Sequence, residues 1–317
     1  MGFHFRLYNV NRKEKSKEIS CRKHANKSKH GMIMTDRHGQ SMRPFHSVHA
    51  LSYQKGYKHA SKKACLIGIN YTDTPNRLYG CENDVQKMKY VLMAKFGYSV
   101  ENITVITEKT RIKPTRMNIL LQFSRLLIEA KSGDQLFFGF SGHGYYLPDK
   151  TGDETDGFDE IIITCDRSYV IDDEFRELMH KYMKPGVQLF GIFDNCHSGT
   201  IWDLRYDYDQ RNMSKDSVQE PSVETNPQYK ETPGQVILLS GCKDNEVSID
   251  AMINGQYNGV LTCTFMELLL HEYIENVTTW RDILALTQYY ITGMGFKQTP
   301  QFSTGRPMKL LTENVCI

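Results

Sequence analysis

The sequence has no apolar run that approaches the roughly 20 residues a membrane-spanning helix needs, so we expect no membrane span. Its eight cysteines are scattered, with no CxxC pair and no zinc-ligand spacing, which argues against a zinc site or a disulfide framework. The first 30 residues are polar and basic, so a secretory signal peptide is not expected. These absences predict a cytoplasmic protein with reduced thiols.

The formal net charge of +2 conceals a strong asymmetry along the chain. Residues 1–63 hold 15 Lys and Arg against 3 Asp and Glu, whereas the remaining residues carry an excess of acidic groups. Residues 1–61 also lack sustained hydrophobic periodicity, and we interpret them as a basic, mostly disordered leader. Such a leader is either a solubilising or removable segment, or an arm that touches nucleic acid or anionic lipid. It contains no aromatic-interleaved RNA-binding motif, so no specific nucleic-acid partner is expected.

Residues 62–317 are predicted to form one α/β domain, because short apolar runs alternate with segments of helical periodicity. The predicted strands are 64–70, 103–107, 135–140, 187–193, 236–240 and 301–303. The predicted helices are 82–97, 116–131 with Thr115 as its N-cap, 172–183, 259–274 and 278–291. This order predicts a mainly parallel, about six-stranded sheet flanked by helices. The polar, proline-containing segment 205–234 is predicted to be a mobile surface loop between the two halves.

Two predicted strands end in unusual polar tetrads. One leaves His143 between Gly142 and Gly144, and the other leaves Cys196 before His197. Binding sites in parallel sheets form at the carboxyl ends of strands, and a thiol needs a base or a positive neighbour to become a useful nucleophile. Neighbouring extended residues point to opposite sides, so His143 is a better candidate base than His197.

These motifs, SGHG at 141–144 and DNCHSG at 194–199, resemble the catalytic blocks of metacaspases, the caspase-fold cysteine peptidases of protists, fungi, plants and bacteria. Three further blocks also resemble that family, namely LYGCENDV at 78–85, DGFDE at 156–160 and IDDE at 171–174. The resemblance covers residues 63 to about 305. It implies a caspase-like three-layer sandwich and a monomeric enzyme with the short join of type I members. Asn195 departs from the Cys or Ser often found before the nucleophile.

The resemblance implies a dyad mechanism. Cys196 would attack the scissile carbonyl, and His143 would protonate the leaving amine and help to maintain the thiolate. Backbone amides near Gly144 and Cys196 would stabilise the oxyanion.

The family's substrate pocket matches Asp84, Ser141 and Asp194. The resemblance therefore implies protein or peptide substrates that are cleaved after Arg or Lys, since two carboxylates suit a guanidinium. The alternative is that Asp84 caps a helix and Asp194 is a turn residue.

An acidic run between residues 149 and 160 is either a solvated loop or part of a metal site. It lacks EF-hand spacing. The resemblance implies that calcium activates the enzyme and that Asp159, Asp172, Asp173 and Asp203 bind it, with Asp153 and Asp156 as possible additional ligands.

Basic residues in the predicted loop and in or next to the leader are candidate autoprocessing sites. They are Lys55, Lys63, Arg205, Arg211, Lys215 and Lys230. Two alternatives to the Arg/Lys peptidase remain open at this stage. One is a caspase-fold scaffold that acts by binding proteins, and the other is a related peptidase with a different P1 preference.

Overall fold

The computed structural model describes residues 60–152, 154, 157–195, 199–209, 219–241, 250–253, 255–270 and 279–317. The predicted leader lies almost wholly outside the described residues. So do Cys196, Asp153 and Asp156, and the autoprocessing candidates Lys55, Arg211 and Lys215.

Thirteen strands and five α-helices occur in the described parts of the chain. The strands are β1 Lys62–Gly68, β2 Ile103–Thr107, β3 Gln135–Ser141, β4 Gly144–Pro148, β5 Phe158–Ile163, β6 Tyr169–Ile171, β7 Gln188–Asp194, β8 Tyr206–Tyr208, β9 Val223–Thr225, β10 Gln235–Ser240, β11 Asp250–Ile253, β12 Gln256–Gly259 and β13 Gln301–Thr304. The helices are α1 Cys81–Phe96, α2 Arg116–Ile128, α3 Asp172–Tyr182, α4 Val260–Leu270 and α5 Trp280–Gly293.

The main sheet has eight strands in the order β2-β1-β3-β7-β10-β13-β8-β9. Its first five strands are parallel, and β13, β8 and β9 add antiparallel pairs at one side. The predicted α/β class with a mainly parallel sheet is confirmed, but the sheet is larger than the six strands expected.

Each face of the sheet is covered by helices. The inner strands are buried on both faces, which explains their continuous apolar runs. Side chains of α1, α4 and α5 pack into one core, and those of α2 and α3 pack into the other. In β3 the consecutive residues Phe137 and Phe138 belong to opposite cores, as the alternation of a strand requires.

The described residues of the segment 205–234, which was predicted to be a mobile surface loop, include the strands β8 and β9. Tyr208 is buried, and its hydroxyl donates to the Met308 carbonyl at 3.0 Å. Strands of only three residues, between prolines and charges, leave little periodicity for sequence analysis to detect.

Two small sheets were also not predicted. Strands β4, β5 and β6 form an antiparallel sheet directly after His143, and β11 and β12 form a hairpin directly before α4. No helix among the described residues is long and apolar enough to cross a membrane.

Candidate active site

The carboxyl ends of β3 and β7 lie side by side. Ser141, the last residue of β3, is in register with Asp194, the last residue of β7. His143 follows the first strand by two residues, and Cys196 follows the second by two residues. Cys196, His197 and Ser198 lie outside the described residues, so the pairing of Cys196 with His143 stays a prediction.

His143 is held on two sides by its surroundings. Its carbonyl accepts from the Ile163 amide at 2.9 Å, which continues the pairing of β5 with β4. Its Nε2 lies 2.6 Å from the Asn76 carbonyl oxygen. A carbonyl can only accept, so this contact requires the proton on Nε2 and makes Nδ1 the basic nitrogen of the neutral ring. An imidazole with that tautomer is suited to take a proton from a thiol and return it to an amine.

Tyr71 is a further partner of His143. Its hydroxyl accepts from the His143 amide at 2.8 Å, and the two rings lie 4.6 Å apart between centroids. Burial raises the pKa of Tyr71 well above its usual value, so the hydroxyl stays protonated. Sequence reasoning missed Tyr71 and Asn76. A backbone carbonyl carries no residue-type signal, and an aromatic residue just after a strand is indistinguishable from a core residue.

The three predicted pocket residues form one buried cluster. The Ser141 hydroxyl donates to Asp84 Oδ2 at 2.7 Å, and the Gly259 amide lies 3.0 Å from both oxygens of that carboxylate. The Thr262 amide donates to Asp194 Oδ2 at 2.8 Å. Asp84 is 0% exposed and Asp194 4%. The two carboxylates therefore satisfy amides at the start of α4, which favours both negative charges there.

Gly259 lets the two carboxylates meet. A Cβ at this position would lie 2.2 Å from Asp194 Oδ2 and 2.9 Å from Asp84 Oδ2. Sequence analysis did not single out Gly259, because its role depends on two residues far away in the chain. Gly144, the predicted oxyanion residue, begins β4 and pairs with Ile162.

All four predicted calcium ligands lie in two overlapping carboxylate groups. Asp159, Asp172 and Asp173 form one group, and Glu154, Asp172 and Asp203 form the other. In each group, ligand atoms lie within 4.8 Å of one another. Glu154 joins the predicted ligands, although sequence analysis had noted it only as part of the acidic run.

Asp203 indicates that this cluster fits a cation. It is 2% exposed, and neither carboxylate oxygen accepts a hydrogen bond from a described residue. Among the described residues, Arg176 Nη1 forms an ion pair with Asp203 Oδ2 at 3.7 Å, and Arg176 also pairs with Asp173. A buried carboxylate without hydrogen bonds is costly, and hard cations such as calcium take oxygen ligands of this kind.

Burial also perturbs the acidity of the cluster. It raises the pKa of Asp172 to about 8, against hydrogen bonds from the Asp173 and Glu160 amides that lower it. It raises the pKa of Asp203 well above its usual value, and the charges of Asp172 and Glu154 add to the effect. Burial therefore favours the protonated forms of both carboxyl groups as long as no cation is bound.

Known proteins resemble this chain in both sequence and fold. A family model described as metacaspase, peptidase C14 domain, matches residues 62–205. Metacaspase-1 of Schizosaccharomyces pombe is 33% identical over 307 residues, covering 81% of this chain and 70% of that protein. Metacaspase-1A of Aspergillus oryzae is 34% identical over 295 residues, covering 78% of this chain and 68% of that protein. A crystal structure of a protein from Geobacter sulfurreducens aligns with a TM-score of 0.56 at 23% identity, covering 81% of this chain and 97% of that one.

The sheet flanked by helices and the sequence matches define a cysteine peptidase with a caspase-like fold. The Geobacter structure supports the fold alone, and the curated relatives support the activity class. The chain belongs to the metacaspase family. Its substrates are therefore proteins, as the sequence had predicted.

Proposed function

We propose that the chain is a calcium-dependent endopeptidase that cleaves after Arg or Lys through Cys196 and His143. The buried pair Asp84 and Asp194 carries this proposal. Asp194 ends β7, and Asp84, in the first turn of α1, accepts a hydrogen bond from Ser141 at the end of β3, so both carboxylates lie beside the strand ends that precede the two reacting residues. A buried acidic pair at that point suits a cationic P1 side chain.

Catalysis would begin when the Cys196 thiolate attacks the carbonyl carbon after the P1 residue. The carbonyl electrons move to oxygen, and backbone amides near Gly144 and Cys196 stabilise the oxyanion. The intermediate collapses with cleavage of the C–N bond, and His143 gives its proton to the leaving amine. Water then hydrolyses the thioester, with His143 Nδ1 accepting a proton from it. The contact of Nε2 with Asn76 supports this role for Nδ1.

The P1 preference would come from charge and hydrogen bonding together. Asp84 and Asp194 already receive amide hydrogen bonds, which compensate in part for the burial of their carboxylate oxygens. A P1 guanidinium or ammonium would add charge-assisted hydrogen bonds to this buried acidic pair. A P1 Asp would add a third carboxylate and be rejected by repulsion.

Calcium would bind at the acidic group formed by Asp159, Asp172, Asp173 and Asp203, together with Glu154. Bound calcium supplies the charge that these carboxylates need in order to ionise together. Asp203 lies seven residues after Cys196. An ordered Asp203 would constrain the segment that carries the nucleophile, which gives calcium a route to activation.

Autoprocessing would occur after basic residues in or near the segment between the two halves. Lys230 is exposed, and Arg205 donates to the Tyr229 carbonyl at 2.7 Å. These contacts favour Lys230 over Arg205 as a described cleavage site, since a bound guanidinium must first be released. Arg211 and Lys215 remain further candidates.

The proposal is tested by measuring hydrolysis of peptide reporters with P1 Arg, Lys or Asp, each with calcium and with a chelator. We expect turnover of the Arg and Lys reporters in calcium only, and none by the Cys196→Ala chain. The same samples are followed on denaturing gels, where only the active chain should shorten. Turnover of the Asp reporter alone, or none at all by wild type, would contradict the proposal and favour a different P1 preference or a scaffold.

A further inference from the structure

Tyr71 adopts a backbone conformation that is unusual for a bulky residue. Its φ is +52°, in the left-handed region that disfavours residues with a large side chain. The surrounding loop holds it there. The Thr74 amide donates to the Tyr71 carbonyl at 3.0 Å, and the preceding Asn70 amide donates to the Glu108 carboxylate at 2.9 Å. Strained residues persist where the structure over-determines them, and they are concentrated at functional sites.

The Tyr71 hydroxyl both accepts and donates a hydrogen bond within one local network. It accepts from the His143 amide at 2.8 Å and donates to the Ile163 carbonyl at 2.7 Å. Ile163 in turn donates its own amide to the His143 carbonyl at 2.9 Å. The hydroxyl therefore links His143 to β5, and only 6% of Tyr71 is exposed.

The loop that contains Tyr71 holds the imidazole as well as the backbone. The Tyr71 ring is tilted by 32° against the His143 ring, at 4.6 Å between centroids. Asn76, five residues further along the same loop, accepts from Nε2. One loop thus fixes the main chain, the ring face and one ring nitrogen of His143.

Glycines on either side of His143 make this support necessary. Gly142 and Gly144 restrict the backbone less than any other residue would. A side chain at Gly142 is excluded, because its Cβ would lie 2.9 Å from the Tyr71 hydroxyl and 2.8 Å from Phe140 Cζ. The neighbouring glycines do little to restrict the main chain at His143, and the hydrogen bond to Tyr71 restricts it instead.

We propose that Tyr71 is a positioning residue that holds His143 with its proton on Nε2 and keeps Nδ1 as the catalytic base. The inference rests on the proposed peptidase function of His143. Tyr71 itself touches neither the substrate nor the reacting atoms in this role. Loss of its hydroxyl should loosen the His143 main chain and weaken the Nε2 contact with Asn76, so that the other tautomer becomes populated.

The test compares Tyr71→Phe, which removes only the hydroxyl, with Tyr71→Leu, which also removes the ring. Tyr98→Phe is the matched control, because Tyr98 is equally buried and its hydroxyl has no hydrogen-bond partner among described residues. With the Arg reporter in calcium, we expect kcat to fall about tenfold to a hundredfold for Tyr71→Phe, and further for Tyr71→Leu. KM should stay within about twofold, since the pocket residues are untouched.

A second readout does not depend on activity. Ring nitrogen shifts of His143 are recorded by 15N NMR in the Cys196→Ala background and assigned with His143→Gln. We expect the Nε2–H tautomer in the parent chain and in Tyr98→Phe, and a mixture of tautomers in Tyr71→Phe.

Equal kcat values and equal tautomers in Tyr71→Phe and Tyr98→Phe would overturn the proposal. If the wild-type chain cleaves no reporter, the proposed function fails, and the tautomer comparison still decides whether Tyr71 positions His143. An unfolded Tyr71→Leu leaves the hydroxyl test intact, because phenylalanine keeps the buried ring.

Discussion

Gly259 has no side chain, and a Cβ at this position would clash with two buried carboxylates. A Cβ there would approach Asp194 Oδ2 to 2.2 Å and Asp84 Oδ2 to 2.9 Å, so Gly259→Ala must displace one or both. We expect a stability loss of about 1–3 kcal/mol, typical of inserting a methyl group into a packed site. We also expect kcat/KM for the Arg reporter to fall about tenfold or more, which corresponds to ~1.4 kcal/mol. Urea unfolding and reporter kinetics measure the two effects.

Gly293→Ala is the matched control for that substitution. A Cβ at Gly293, in α5, meets no heavy atom within 4 Å. Alanine in a helix is favoured over glycine by up to about 1 kcal/mol, so this variant should be as stable as the parent or more so, with unchanged kinetics. If Gly259→Ala behaved like Gly293→Ala, the carboxylates would not be held as tightly as the structure indicates.

At the scale of elements, the acidic cluster joins β5, the start of α3 and the segment after β7, and it makes stability depend on pH. The folded-state pKa of Asp172 is raised to about 8, and that of Asp203 is also raised, both chiefly by burial. The folded chain therefore holds more protons than the unfolded chain between about pH 4 and pH 8. The unfolding free energy is therefore highest below the pKa that these carboxyl groups have in the unfolded chain. It falls as the pH rises through the pKa that they have in the folded chain. In a chelator, we expect the unfolding free energy to fall across this window.

Calcium should oppose this fall in the unfolding free energy. Its binding displaces the protons and neutralises the negative charge of the buried carboxylates. The gain in unfolding midpoint on adding calcium should therefore be largest near pH 8 and small near pH 5. Asp203→Asn should flatten the pH dependence and remove the calcium gain, and asparagine tolerates the φ of +47° at this position. Asp73→Asn changes an exposed aspartate and serves as the control. A calcium gain that persists in Asp203→Asn would place the site elsewhere.

The elements that the sequence predicted are those with strong periodicity. Strand β2 and the start of α2, where the Thr115 hydroxyl accepts from the Asn118 amide at 3.4 Å, are where the pattern placed them. The hairpin of β11 and β12 was missed, although Asn254-Gly255 between them is a strong two-residue hairpin signal. Sheet β4–β6 was missed because its short strands lie between glycines, a proline and charges, where no period is long enough to detect.

The candidate site likewise contains some residues that the sequence predicted and some that it did not. Asp84, Ser141 and Asp194 were predicted from their motifs, and they meet in one cluster. Tertiary packing brings backbone groups to the site from distant parts of the chain. They are the amides of Gly259 and Thr262 and the carbonyl of Asn76. Backbone amides and carbonyls are alike in every residue, so no residue-type pattern could reveal them.

At the scale of the whole molecule, the two halves of the chain are interleaved within one sheet. Strands β10 and β13 follow the segment 210–218, yet they lie between β7 and β8, which precede it. Strand β7 pairs with β10 over six residues, and β8 pairs with β13 on its other edge. A cut between β8 and β9 would break one covalent link and leave all of these pairings in place.

We therefore expect a chain cut within 210–218 to remain a single particle. A site for an unrelated protease is inserted there in the Cys196→Ala chain, so that self-cleavage plays no part. After cutting, denaturing gels should show two fragments, while size exclusion in native buffer should show one peak at the elution volume of the uncut chain. Urea should separate the fragments only where the sheet itself unfolds, since each fragment holds strands flanked by those of the other. Dissociation in native buffer would mean that the covalent link, and not the interleaved sheet, holds the halves together.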